Sequence, residues 1–388
     1  MSDLSQPIHL EFKSAKAGKT AETKRLEIFN SYSFDRSILT PASPFRFTAP
    51  GVNKSDRVAI RSGDFVQLSL TNSSGETSLI ATGFVDETDT HVIPANVDYV
   101  ITGRDTLGQL VDNASIDASN SIINTENVTM ETLLKQLLRN TRIPQQIISQ
   151  QMPNAALLVQ TQAGETKINT LQRYMEFLNI LIWSLPDGRV VIGKPDFTNP
   201  ISGSLILNSS SPQKNNLLEA RSRRNLNQAI RQIVTQLSTL EQVDAGSFTV
   251  FNNDDDMAEV QASGVGKSIY RSFNYGEGST AANSVKAIGN QTGEPRTMGR
   301  ELSMREIARD NMKILDVEVV VMGHVNESGV PYNIDQIYNV EIEDDDVNEP
   351  MYVYAVNYEL TMQHGMLTRL KLCRLGTIIA YADALRRG

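Results

Sequence analysis

The sequence predicts a mainly β protein with an α+β insertion, in which two related β modules flank a small helix–hairpin unit. Three observations carry this reading. Short runs near both ends of the chain alternate apolar and polar residues. The segment after the first of these regions places its apolar residues at helical spacing instead. Finally, the two β regions align on one another when the chain is shifted by about 272 residues.

Residues 1–105 read as β. The runs LEFKS, RLEIFNSYSF, PFRFTA, DFVQLSLTN, SLIATGFVDETDTHV and VDYVITG are separated by Gly, Pro, Asn and Ser. That spacing fits a barrel or sandwich rather than βαβ units. Residues 106–198 change character. ETLLKQLLRNTRIP puts Leu133, Leu134, Leu137 and Leu138 on one helical face, with Pro144 closing the helix. INTLQRYMEFLNILIW repeats the pattern with Leu171, Tyr174, Met175 and Leu178. ILIWSLPDGRVVIG then reads as a hairpin turning on Pro186, Asp187 and Gly188.

Residues 199–375 return to β with a different entry. In NLNQAIRQIVTQLSTL, Ala229, Ile230, Ile233, Val234 and Leu237 fit a helix, yet Ile230, Gln232 and Val234 also fit one face of a strand. Residues 243–299, rich in Gly, Asn, Ser and Asp, read as a long loop-rich insertion. Ser303 and Glu306 form a capping box, with Leu302 and Ile307 as its staple, and predict a helix over about 303–312. LDVEVVVMG, QIYNVEIED, MYVYAVNYELTM and MLTRLKLCR are the closing strands, and residues 376–388 form a C-terminal tail. At the shift of about 272, Phe65, Val66, Leu68 and Leu70 fall on Ile337, Tyr338, Val340 and Ile342, and Ile80 and Phe84 on Tyr352 and Val356. With one residue fewer, Tyr99 and Ile101 fall on Leu370 and Leu372.

At 388 residues the chain is too long for one ordinary domain, and its 40% hydrophobic and 21% charged content suits a globular protein. No run approaches ~18 apolar residues, and MSDLSQPIHLEF lacks the pattern of a secretory leader, so neither stable membrane insertion nor export is expected. Cys373 stands alone, which excludes a disulfide framework and suits synthesis in a reducing cytosol. The net charge of −9 argues against a protein whose main work is gripping nucleic-acid phosphates, while leaving room for DNA that passes without sticking.

Candidate chemistry is thin. Gly264, Gly266, Lys267 and Ser268 end like a phosphate-binding loop, but Gln261 stands where the motif needs its first glycine, so a flexible loop is expected. Asp254, Asp255 and Asp256, like Asp344, Asp345 and Asp346, are consecutive, and neighbouring carboxylates splay apart instead of alternating around a cation. His9, His91, His324 and His364 lack metal-ligand spacing, and Cys373 lies in a strand without a nucleophile signature. Arg221, Arg223 and Arg224 read as a solvated or interfacial basic cluster. Asn127, Val128 and Thr129 form a glycosylation sequon without meaning unless the chain is secreted. No catalytic, cofactor-binding or metal-binding residue is therefore assigned, and a binding or structural role is expected.

RSGDFVQLSL, IATGFVDETDTH and VDYVITGRDTLGQLVDNAS, in this order, resemble the N-terminal module of Mu-type phage tail proteins that form the baseplate hub. The matching positions are Gly63, Asp64 and Val66, then Thr82, Gly83, Val85 and Asp86, then Gly103, Arg104, Asp105, Leu110, Val111 and Asp112. TKINTLQRYMEFLNILIWSLPDGRVVIGKPD is similar to the family's helix and hairpin, and the strands from VEVVVMG to LTRLKLC resemble its closing module. The likeness spans about three quarters of the chain; residues 243–299 match poorly, and residues 225–237 are a strand by the resemblance rather than a helix.

The resemblance implies two tail-tube-like β-barrel modules, over residues 1–105 and 199–375, flanking the helix–hairpin domain of residues 106–198. It implies a non-enzymatic homotrimer in the virion tail baseplate, whose six modules adapt a sixfold tail tube to a threefold central spike. The partners implied are a second and third copy, the tail tube protein, the central spike protein and other baseplate proteins including the tape measure protein. Viral DNA would only pass through the lumen, which an acidic lining would keep free of adhesion. Gly103 then lets the chain leave its strand, Asp105 is placed to cap the segment carrying Leu107, Leu110 and Val111, and Arg104 is expected in a structural or intersubunit contact. Two alternatives stand beside this. One is the hub of a bacterial injection or secretion apparatus, although the chain ends at YADALRRG without a repetitive spike extension. The other is a tail-associated cell-wall hydrolase.

Overall fold

The computed structural model of the chain describes residues 8–13, 23–26, 28–50, 60–71, 75–93, 96–115, 123–150, 152, 157–162, 164–178, 180–224, 230–239, 247–251, 267–275 and 315–375. The expected helix over about 303–312, the triplet Asp254 to Asp256 and residues 376–388 lie outside the described residues.

The first module holds β1 (Ile8–Lys13), β2 (Thr23–Leu26), β3 (Ser31–Ser37), β4 (Pro44–Pro50), β5 (Phe65–Thr71), β6 (Thr77–Ile93) and β7 (Asn96–Asp105). All its pairings are antiparallel, in the order β3-β4-β7-β6-β5-β1-β2. Alternation sets the faces: in β3, Tyr32, Phe34 and Arg36 are buried while Asp35 is exposed.

The insertion holds α1 (Gly108–Asp112), β8 (Asn124–Val128), α2 (Met130–Leu138), β9 (Ile147–Gln150), β10 (Leu157–Gln160), α3 (Lys167–Leu178), β11 (Leu181–Ser184) and β12 (Val190–Gly193). The Thr129 hydroxyl caps α2 by accepting from the Thr132 N–H at 3.2 Å, and Glu131 pairs with Lys135 one turn on at 2.6 Å. The predicted face, Leu133, Leu134, Leu137 and Leu138, is buried. This helix ends before Pro144, because Asn140 takes a left-handed conformation (φ 63°) and turns the chain first. β11 and β12 form the expected antiparallel hairpin, and Gly188 supplies its turn with φ 82°. β9 extends that sheet by a parallel pairing to β12, an element the alternation did not reveal in so short a run. These elements enclose their own apolar core.

The second β region holds β13 (Ile201–Leu207), β14 (Leu217–Arg224), β15 (Ile230–Thr239), β16 (Ser247–Phe251), β17 (Lys267–Tyr275), β18 (Leu315–Met322), β19 (Gln336–Ile342), β20 (Val347–Thr361) and β21 (Gly365–Arg374). Residues 230–239 are thus a strand: β-branched Ile230, Ile233, Val234 and Thr235 gain two neighbours, β16 antiparallel and β17 parallel. The loop reading of residues 243–299 is corrected where β16 and β17 lie within it. Tertiary pairing with β15 decides their conformation against a local composition rich in turn-forming residues.

The remaining strands run β14-β18-β21-β20-β19, the same order as β3-β4-β7-β6-β5 in the first module. The register matches as well. Phe65 stands opposite Phe84 as Ile337 stands opposite Tyr352, and Phe47 opposite Ile101 as Val319 opposite Leu370. A bulge follows Val85 in β6 and Val353 in β20. The sequence alignment is therefore right for β5 and β19 and is corrected by an even number of residues in the next two strands. Phe84 matches Tyr352 rather than Val356, and Ile101 matches Leu370 rather than Leu372. A period-2 pattern is blind to a shift of two or four residues, because such a shift keeps every side chain on its face.

The two modules share one sheet because β3 pairs antiparallel with β20, Phe34 opposite Tyr358. The Phe34 and Tyr358 rings stack at 6.0 Å, and Phe29, Tyr32, Phe45 and Phe47 continue the aromatic cluster. One apolar core consequently runs through both modules and takes in Trp183 and Val191 from the insertion. Replacing Phe34, 1% exposed, by Ala should lower stability by about 3–5 kcal/mol in denaturant titration, because the rigid strands around it cannot collapse into the space. A loss below about 1 kcal/mol would show that the modules do not depend on this seam.

Candidate assembly site at the meeting of the three units

The residues that carry the resemblance converge where the first module hands the chain to the insertion. Gly103 is a steric requirement, since a Cβ there would collide with the Phe84 carbonyl oxygen and the Phe45 ring. Gly83, beside it on β6, would collide in the same way with the backbone of Arg104. Gly63 takes φ 85° in the turn before β5, and its N–H donates to the Val85 carbonyl at 2.7 Å.

Arg104 binds two carboxylates side-on. Its Nε and Nη2 donate to Asp86 at 2.7 and 3.0 Å, and its Nη1 and Nη2 to Asp112 at 3.0 and 2.5 Å. The hydrogen bonds to Asp86, then those to Asp112, hold the guanidinium proton even more firmly than usual. Three residues from successive elements therefore form one clamp between β6, β7 and α1. Their exposure keeps the clamp's energy modest, and its geometry fixes where α1 leaves the sheet.

Asp105 points the other way, into the protein. Its carboxylate accepts the Leu107 N–H at 3.0 Å, so it begins the turn into α1 from two residues ahead of the residue at the cap position, which is Leu107 itself. It also accepts the Ser184 hydroxyl at 2.7 Å. Burial raises its carboxyl pKa, and the hydrogen bonds and the charge of Arg36 oppose that rise. Arg36, 3% exposed, donates to the Ser184 carbonyl, to Asn333 Oδ1 at 2.5 Å and to the Ile80 carbonyl at 3.4 Å. One guanidinium thus touches the first module, the insertion and the second module. The insertion is further docked by Thr82 and Thr106, whose hydroxyls donate to the Pro186 and Gly188 carbonyls at 2.7 and 3.1 Å.

A second polar chain crosses the seam. Thr368 donates to the Gly323 carbonyl at 2.6 Å, which leaves its oxygen to accept from His324 Nδ1–H at 2.7 Å. His324 Nε2 then accepts the Tyr32 hydroxyl at 2.7 Å. Burial pushes the His324 pKa down to about 3, so the ring is neutral in this network.

Neither Arg36 nor His324 was among the residues the sequence singled out for a role at this seam. The signal for Arg36 was present in SYSFDRS, where arginine occupies an inward position after Tyr32 and Phe34. For His324 no local pattern exists, because its partners lie on distant strands.

The other candidates are dispersed. Asp344 and Asp345 accept separately from the Ser209 and Ser222 hydroxyls, and Glu343 takes the Ser210 N–H. Among the described residues no three His, Cys, Asp or Glu side chains group as a cation site. Lys267 and Ser268 open strand β17, which corrects the reading of this end of the glycine-rich stretch as loop. His91 and His364 are exposed, His9 lies in β1, and Cys373 is buried in β21, where desolvation raises its thiol pKa. Arg221, Arg223 and Arg224 are exposed along β14.

No family model matches the sequence, and no curated protein matches it. Solved structures do match in shape. A tail protein from Neisseria meningitidis superimposes with a TM-score of 0.73 over 97% of this chain and 99% of its own, at 15% identity. The 43 kDa tail protein of prophage MuSo2 from Shewanella oneidensis gives 0.68 over 96% and 100%, at 19% identity. An Escherichia coli component of the type VI secretion system, described as similar to two bacteriophage T4 tail proteins, gives 0.52 over 94% and 76%, at 9% identity. The fold is therefore that of phage tail proteins and their secretion-system counterparts, over nearly the whole chain.

Two outcomes test the site. Arg36→Met should cost on the order of 3 kcal/mol, because it strands buried acceptors and the Asp105 carboxylate. Adding Asp105→Asn should recover at least about 1 kcal/mol of that in a double-mutant cycle, and strict additivity would show the two charges to be uncoupled. The second concerns pH. Native His324 stays neutral while the unfolded ring titrates near the ordinary value of 6.5. Its contribution is complete above that value and is lost as pH falls toward about 3, by about 1.4 kcal/mol per pH unit. Between about pH 4 and 6, stability of the wild type should fall more steeply than that of His324→Asn; equal slopes would exclude the buried neutral ring.

Proposed function

We propose that the chain is a structural hub of a contractile phage tail baseplate, acting as a homotrimer. One observation carries the reading: two modules with the same strand order and register are joined edge to edge in one chain, through β3 and β20. Three such chains present six similar modules around a threefold axis, which is what an adaptor between a sixfold tube and a threefold spike requires. Tail tube protein on one side, central spike on the other, and neighbouring baseplate and tape measure proteins are the partners in this reading. DNA only transits, and the net charge of −9 disfavours its retention. The polar constellations described above tie structural units together, in keeping with an assembly role rather than catalysis.

A second reading has its own support. Chains of two VgrG-containing complexes of Francisella share the fold over 96% of this chain but only 58% and 53% of their own, with TM-scores of 0.57 and 0.58 at 8% and 9% identity. A hub in a bacterial contractile injection apparatus would use the same trimer with a different spike.

Light scattering on the purified chain, alone and with the candidate spike protein, tests the proposal. A mass three times that of the chain is expected, with the spike adding in a three-to-three ratio. A particle that stays monomeric at micromolar concentration with the spike present would overturn it.

A further inference from the structure

Along the strands β3, β4, β7, β6 and β5 and their counterparts, the two modules make equivalent pairings with one exception. β3 has β4 on one edge and β20 on the other, whereas its counterpart β14 has β18 on one edge and, among the described residues, no strand on the other. The same gap appears on the complementary side. One edge of β20 carries β19 along Val347–Val353 and then β3 along Ala355–Leu360. The matching edge of β6 carries β5 along Thr77–Phe84, and Glu87–Val92 continue without a strand partner on that edge among the described residues. The two edges joined inside the chain thus occur a second time, unjoined.

We propose that β14 of one copy pairs antiparallel with Glu87–Val92 of β6 in the next copy, in the register that β3 and β20 use within the chain. The register follows from the pairings. Tyr32 stands opposite Phe47 as Ala220 stands opposite Val319, so Phe34 corresponds to Ser222 and Asp35 to Arg223. After the shared bulge, Glu87 corresponds to Ala355 and Asp89 to Asn357. Because Asp35 faces Asn357 and Phe34 faces Tyr358, Arg223 faces Asp89 and Ser222 faces Thr90 across the new junction. Arg221 then faces His91, and Ala220 faces Val92, which is 65% exposed in the single chain.

Charge supports this partner. β14 exposes Arg221, Arg223 and Arg224, and the free part of β6 exposes Glu87 and Asp89. Within its own chain Arg223 stands opposite Asp316 on β18, so the pairing sets it between two acidic rows. The internal junction buries stacked aromatics at the equivalent position, while the free edges carry Ser222 and Thr90. That chemistry suits edges that meet water before they meet each other. A head-to-tail contact of this kind closes into a ring, and its closure after three copies rests on the trimer reading above.

The full-length chain with Asp89→Cys and Arg223→Cys tests the register. Directly opposed antiparallel positions lie within disulfide reach, and the native Cys373 is buried and does not compete. Mild oxidation should give reducible covalent oligomers up to the trimer on denaturing gels, while either single variant stays uncrosslinked. The displaced pair Asp89→Cys with Arg221→Cys should react more slowly. A trimer by light scattering that forms no crosslink overturns the pairing and leaves the trimer standing. A monomer overturns both. A charge exchange checks the contact without cysteine. Arg223→Asp should weaken assembly about tenfold or more, and adding Asp89→Arg should restore it. An Arg223→Asp chain that assembles like the wild type would also overturn the pairing.

Discussion

The buried guanidinium of Arg36 is the constraint around which the three units are arranged. A charged group removed from water is stable only if its surroundings supply acceptors, and here those acceptors come from separate units: Ser184 from the insertion, Asn333 from the second β region and Ile80 from the first. Ser184 doubles as the link to Asp105, since its hydroxyl donates to that carboxylate while its carbonyl accepts from Arg36. The counter-charge is therefore reached through a shared residue. Moving any one unit leaves a buried polar group without its partner, a penalty that adds to the loss of apolar contact. The apolar core joins the two modules, and this network fixes the angle at which the insertion sits on them.

The Arg104 clamp shows the same logic in a weaker form. It is partly exposed, so its ion pairs add little stability, yet it gathers Asp86 and Asp112 into one geometry with the β7–α1 corner. Gly83 and Gly103 let the backbone and Phe45 approach closely enough for that corner to form. A Gly-Arg-Asp at the end of a strand is, in this protein, a joint: glycine for proximity, arginine outward to two carboxylates, aspartate inward to the turn and to Ser184.

Much of this was legible in the sequence, and the limits have identifiable causes. The strands of the first module, β18 to β21 of the second, the α2 and α3 faces and the β11–β12 hairpin follow from periodicity, because burial on one face writes itself into the spacing of Leu133 and Leu137 or of Tyr32 and Phe34. The duplication was visible, but its register in β6 and β7 was not, since the displacement there is an even number of residues, which alternation cannot detect. β16 and β17 escaped notice because their conformation depends on a partner strand rather than on local composition. The seam residues escaped for a related reason: His324 meets Tyr32 across 292 positions and Arg36 meets Asn333 across 297, and no local window contains either pair.

The modules are alike but not identical, and their outer strands differ in direction. β1 runs antiparallel to β5, whereas β13 runs parallel to its counterpart β19. In a ring closed through the pairing proposed above, β14, β18, β21, β20 and their first-module equivalents would recur at every module. β1 and β13 would recur only at every second one. A single polypeptide would then carry two rotational periods at once, and a partner would sense one or the other according to which strands it touches.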